Sequence, residues 1–167
     1  MVAILEAARV LALYARARIA CGVRFIAFGT EEIGLIGARE YVKAHADELG
    51  EIRLLVNMDS AGGAGRKGIV MHRRPELDAF FTGARQEMAN DMPYGQGMSA
   101  FSDHFPFFNA GVPTCGMGDV EATFTGRGFG HTAFDTMDKL KVSDLREAAS
   151  VLSRILLRAA CEGKWPA

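Results

Sequence analysis

Two adjacent carboxylates, Glu31 and Glu32, follow the apolar run Val23-Arg24-Phe25-Ile26-Ala27-Phe28, and Asp59 follows a second one, Ile52-Arg53-Leu54-Leu55-Val56. His131 stands behind a glycine-rich stretch in GHTAFDT. Neighbouring residues of a turn or extended segment point in different directions, so Glu31 and Glu32 do not easily grip one metal ion together. One can bind while the other faces a substrate. An imidazole and carboxylates on loops beyond strand ends are a donor set suited to zinc, and the remaining glutamate could take the proton of a water held there. Cations in the site would make the like-charged pair tolerable.

Each residue also has a structural reading. Glu31-Glu32 is compatible with a solvated helix start, Asp59 beside Ser60 and Gly62 with turn chemistry, and His131 with a satisfied structural histidine. The chemical reading depends on the pieces agreeing. His45 falls on a polar helix face and His72 precedes Arg73-Arg74, so both read as surface residues. Ser102-Asp103-His104 is no serine-hydrolase triad, because three consecutive residues do not converge and no GxSxG elbow is present. Cys115 lies in the apolar VPTCGM, where a buried inert thiol is the commoner outcome. The stretch GGAGRKG lacks the Ser or Thr that follows the lysine of a phosphate-binding loop.

The elements that must position these residues alternate between two periods. Residues 2–18 read as a helix that expects burial, with Glu6, Arg9 and Arg16 on one side; no capping residue precedes it, as if the chain had been cut there. Val23–Phe28 reads as a buried strand, residues 34–50 as a helix closed by Gly50, and residues 52–56 as a second buried strand. GIVMH is a short third strand, Pro75–Met88 a helix, and residues 90–120 a loop-rich region with helical turns at 106–110 and a strand at Val112–Met117. A helix capped by Ser143 runs to Gly163. Alternating buried strands and amphipathic helices predict a three-layer α/β/α sandwich with a mostly parallel mixed sheet.

The 167 residues suit a single domain, and 49% hydrophobic with 23% charged residues is globular material. Well-mixed charges summing to -1 exclude a nucleic-acid footprint or a polybasic membrane patch. Cys21, Cys115 and Cys161 form no CxxC motif. The apolar start has no basic leader or cleavage site and is neither signal peptide nor membrane span, which leaves a cytoplasmic location as the default, although the parent protein could be exported.

VRFIAFGTEEIGLIGAREYV, LLVNMDSAG, SDHFPFFNAGVPT and HTAFDTMDKL, in that order, resemble metallopeptidase family twenty-eight over residues 1 to about 155. These are twin-zinc exopeptidases that include leucyl-type aminopeptidases, glutamate carboxypeptidases and glutaminyl cyclases. The resemblance implies a zinc-dependent exopeptidase, most simply an aminopeptidase acting on peptides. Glu31 would be the general base, Glu32 and His131 ligands of one zinc, and Asp59 a ligand of the other. Asp103, His104 and Phe129 would support the site or the substrate loop.

The same resemblance implies that a histidine ligand and a bridging aspartate lie upstream of the helix at 2–18. Residues 1–167 then read as the later part of a peptidase domain with its N-terminal strands missing. Such a chain is expected to hold metal poorly and to be weakly active or inactive alone, and its exposed sheet edge or helix 2–18 offers a surface for self-association. A non-catalytic binding module of the same fold and a glutaminyl cyclase are the rival readings. Met98, Phe101, Met117, Phe124 and Phe129 line either an apolar pocket or the core.

Overall fold

A computed structural model describes residues 1–14, 19–63, 65–88, 91–119 and 129–162. Helix α1 spans Val2–Tyr14 and α2 Ile36–Ala44; strands β1, Leu55–Met58, and β2, Lys67–His72, follow. Then come α3 (Asp78–Met88), β3 (Tyr94–Gly97), α4 (His104–Asn109), β4 (Thr114–Asp119) and α5 (Val142–Glu162). The sheet order is β1-β4-β2-β3, with β1 and β4 parallel, β2 and β3 parallel, and β2 antiparallel to β4. The predicted sandwich is what forms.

Period-2 alternation divides the sheet's residues between two faces. One face presents Val56, Met58, Ile69, Met71, Cys115 and Met117 to a core completed by Phe80 and Phe81 of α3 and by Ala148, Leu152 and Ile155 of α5. The other presents Leu55 to Ala38, Leu49, Phe107 and Val112, a smaller cluster carried by α2 and α4. Helices therefore cover both faces, but only the β1 side of the second one.

Several sequence expectations change. Helix α1 is not buried all round: Ala3, Ala7 and Leu11, spaced four apart, form a thin stripe against α5, while Leu5 and Leu13 are each 61% exposed. Residues 15–18 and Phe124 lie outside the described residues. Helix α2 stops at Ala44, after which the Tyr41 and His45 rings stack at 4.2 Å and a separate 3₁₀ turn covers Leu49–Glu51. Helix α5 begins one residue before Ser143, and the Lys141 carbonyl accepts from the amides of Asp144 and Leu145. Strand β3 was hidden inside the predicted loop region, because Tyr94-Gly95-Gln96-Gly97 lacks an apolar run and pairs only by register with β2. Met117 belongs to the core at 2% exposure, not to a pocket-lining loop.

The largest departure is Val23–Phe28, which forms no strand. Among the described residues its backbone has no hydrogen-bond partner. It flanks a cavity of about 600 Å³ whose opposite wall is β1, so the two segments face each other without pairing. The segment is held by side chains on one side: Phe28 packs on Tyr41 and Phe107 at 5.6 and 5.8 Å, and Arg24 donates to the Tyr41 hydroxyl and to Glu48.

Candidate active site

Three of the segments that carry the predicted residues leave regular structure where those residues occur. After Phe28, the Glu31 carbonyl accepts hydrogen bonds from the amides of Gly34 (3.1 Å) and Leu35 (2.9 Å), which closes a turn ahead of α2. Thr30 and Leu35 adopt left-handed φ values of 61° and 58°, costly for any residue with a Cβ and most of all for the β-branched Thr30. The turn is tightened by glycine: a Cβ at Gly37 would meet the Gly29 carbonyl oxygen at 2.6 Å. Glu31 and Glu32 are thus presented by a fixed turn. Asp59 follows the carboxyl end of β1, and His131, itself at φ 62°, sits in a turn where the Thr132 amide and hydroxyl both bond to the Phe129 carbonyl.

These remote positions come together. The Nδ1 atom of His131 lies 3.6 Å from Oε2 of Glu32. The Glu31 carboxyl is raised above its ordinary range by burial first, then by the neighbouring charges of Asp59, Glu32 and Asp103, while His131 opposes the shift. Asp103 is raised for similar reasons, by burial and by Asp59, and its Oδ1 is buried without a hydrogen-bond partner among the described residues. Phe129 is half-exposed, with the Lys139 ammonium 5.5 Å above its ring. Cys115 is fully buried and its thiol pKa is pushed up by desolvation, so it stays protonated.

A buried polar network underlies the carboxylates. His104 is 2% and His72 3% exposed, and their rings stack at 3.8 Å. His104 Nε2 donates to the Ser99 carbonyl (2.8 Å), which fixes Nδ1 of the neutral ring as an acceptor 3.5 Å from Asn57 Nδ2. Asn57 also donates to Ser102 Oγ at 2.7 Å, and His72 Nδ1 pairs with Thr114 Oγ1 at 2.9 Å. The segment bearing Asp103 is thereby tied to β1, β2 and β4. The surface reading of His72 is overturned, and a signal for burial was present: His72 shares the period-2 face of Gly68 and Val70 in β2.

A sequence profile for Peptidase family M28 matches residues 1–156. The chain belongs to this family. Within M28 it is similar to aminopeptidase YwaD of Bacillus subtilis, with 28% identity over 154 residues, 86% of this chain and 33% of that protein. It superposes on the structure of BSAP, a zinc aminopeptidase from Bacillus subtilis, with a TM-score of 0.80 and 25% identity over 96% of this chain and 40% of that one. The LapA aminopeptidase of Legionella pneumophila shares the fold at a TM-score of 0.77 and 18% identity, over 95% of this chain and 45% of that one. The chain therefore spans between a third and a half of the length of these relatives.

Zinc can be tested against the donors present. Two ligands at zinc bonding distance on a tetrahedral ion lie about 3.3 Å apart, so Glu32 and His131 at 3.6 Å fit two corners of one ion. Among the described residues, however, no three His, Cys, Asp or Glu side chains are grouped closely enough to hold a metal. The donor types and the pair's spacing fit; the number falls short of the roughly three protein ligands of a catalytic zinc.

Proposed function

We propose that this M28 chain carries the general base and part of the zinc-binding set of an aminopeptidase that removes N-terminal residues from peptides. The supporting observation is the convergence of Glu31 with Asp59, Asp103, Glu32 and His131, five polar side chains drawn from four remote segments. Family membership adds the reaction class.

In this reading Glu32 and His131 hold one zinc and Asp59 belongs to a second. When bound, the metal supplies Lewis acidity and a water of lowered pKa. The chain's own contribution is proton handling. Glu31, close enough to the Glu32–His131 pair to feel both charges, takes a proton from the attacking water and returns it to the departing amine. Its raised pKa makes the carboxylate a stronger base toward water, while its conjugate acid is still acidic enough to return the proton to the amine. In the metal-free chain burial keeps it raised, helped by repulsion from Asp59, Glu32 and Asp103.

The test uses leucyl anilide hydrolysis by the zinc-loaded chain and by any longer polypeptide that carries it. Glu31→Gln is expected to lower turnover by about 10²–10⁴-fold, the usual worth of a general base, with zinc content unchanged. Retention of most activity by Glu31→Gln would remove the base assignment. A second reading, a binding module without turnover, is favoured by the two-donor count alone. Absence of hydrolysis in every zinc-loaded form would select it.

A further inference from the structure

Val23–Phe28 and β1 run in the same sense toward the proposed site, one leading to Glu31 and the other to Asp59, with the cavity of about 600 Å³ between them. Each wall presents unused backbone. Neighbouring residues of a strand direct their N–H and C=O groups to opposite edges, and the Leu55 amide donates to the Pro113 carbonyl on the β4 side. Val56 and Met58 therefore direct theirs into the cavity. Across it, the backbone of Val23–Phe28 has no partner among the described residues.

The chemistry of the walls defines what fits between them. On one side the cavity is bounded by Ile4 of α1 and Leu156 of α5, from the main core, and on the other by Tyr41 of α2 and Phe107 of α4, from the smaller one. Charged lining residues gather at the ends: Arg24, Glu48, Glu51 and Arg53 near where the walls begin, and Asp103 near where they finish. A compact apolar molecule satisfies the side chains but leaves two rows of backbone groups unpaired. Water satisfies the backbone but wets both apolar clusters. A β-strand answers both demands, because it carries N–H and C=O groups along each edge and side chains to each face. With both faces apolar, the strand has to be apolar at consecutive positions, as strands covered on both sides are.

We propose that the slot between Val23–Phe28 and β1 accepts one β-strand of a partner polypeptide, about six consecutive apolar residues with polar flanks, and holds it through main-chain hydrogen bonds to both walls. The strands of this chain are already committed, since β1, β2, β3 and β4 pair with one another. A second copy thus has only its own Val23–Phe28 to offer, and that segment is anchored at home by Phe28 on Tyr41 and Phe107 and by Arg24 on Glu48. The inference stands apart from the peptidase reading, because it needs neither metal nor turnover. Since the walls lead to Glu31 and Asp59, the occupant would set the separation of these carboxylates from outside the site.

The probe is a capped, fluorescent peptide of three Val-Ile repeats between lysines, added to the metal-free chain and followed by anisotropy and by hydrogen exchange. Saturable binding with slowed exchange in both Val23–Phe28 and Leu55–Met58 is expected. Methylating alternate peptide nitrogens removes the donors of one edge and keeps the side chains, and should weaken binding by about tenfold or more. Replacing the isoleucines by serine makes one face polar and should do the same. Val56→Pro removes one donor from the slot and none from the β4 ladder, and is expected to weaken binding by about tenfold. Should thermal melts show that it does not fold, Phe25→Pro and Ile26→Pro take its place: neither removes a backbone hydrogen bond recorded among the described residues, and at least one is expected to weaken binding as much. No binding, equal binding of the N-methylated peptide, or protection confined to other segments would overturn the proposal. A peptide-free dimer in sedimentation with both walls already protected would put a second copy in the slot and overturn it too.

Discussion

His72 and His104 stack in the interior with ring centroids 3.8 Å apart and planes inclined by 23°. Two imidazolium ions do not coexist at that distance away from water, so both rings are neutral in the native state. Burial, followed by the neighbouring His104, lowers the His72 pKa to about 4; burial also lowers His104.

Acid should therefore unfold this chain through the pair. Between the ordinary histidine value of 6.5 and about 4 the unfolded chain binds the His72 proton and the native chain does not. Stability then rises with pH across that window and is lost as pH falls through it. The depression amounts to about 3 kcal/mol at about 1.4 kcal/mol per unit. Urea midpoints between pH 7 and pH 4 should decline steeply. His72→Phe, which keeps an aromatic ring in the stack, should flatten much of the decline.

Glu31 should titrate above the ordinary glutamate value of 4.5, since burial and three carboxylates oppose its charge. Carboxyl-carbon NMR on the zinc-free chain measures this directly. Asp103→Asn removes one repelling charge and should move the Glu31 midpoint toward acid. In an active form, the acidic limb of kcat/KM should move the same way, because the base stays deprotonated to lower pH.

Zinc should bind this chain weakly, through Glu32 and His131. In calorimetric titrations His131→Ala and Glu32→Ala should each weaken binding by tenfold or more, because either leaves a single donor of the 3.6 Å pair. Lys43→Ala, on the exposed side of α2, should not change it.

The turn that presents Glu31 should be the site's mechanical weak point. In Gly37→Ala the new methyl group meets backbone, the Gly29 carbonyl oxygen at 2.6 Å, and neither can move without disturbing the 3.3 Å bond from the Gly37 amide to that oxygen. A loss of about 1–3 kcal/mol, the cost of overpacking a tight contact, is expected in denaturant melts. Phe81→Ala, in the core at 0% exposure, should cost more, about 3–5 kcal/mol, without altering the Glu31 titration.

Much of the proposed site was legible in the sequence because an apolar run ending in acid marks where a buried segment stops and a loop begins. Glu31, Glu32 and Asp59 were singled out this way, and His131 as an imidazole behind a glycine-rich stretch. His72 was not, because Arg73 and Arg74 give its surroundings a solvated character that belongs to the chain beyond the strand. Strand β3 was missed because Gly95 and Gly97 remove the side chains by which strands are recognised. Val23–Phe28 shows the opposite failure: its composition predicts a strand, yet a strand is defined by its neighbour, and here the nearest candidate stands across a cavity.

That separation has a kinetic corollary. Amide protons shielded by a sheet exchange with deuterium only when the sheet opens, whereas those of Val23–Phe28 have no acceptor among the described residues to leave. Despite being among the most apolar hexapeptides of the chain, this stretch should label within the earliest time points, well ahead of Ile69 and Met71.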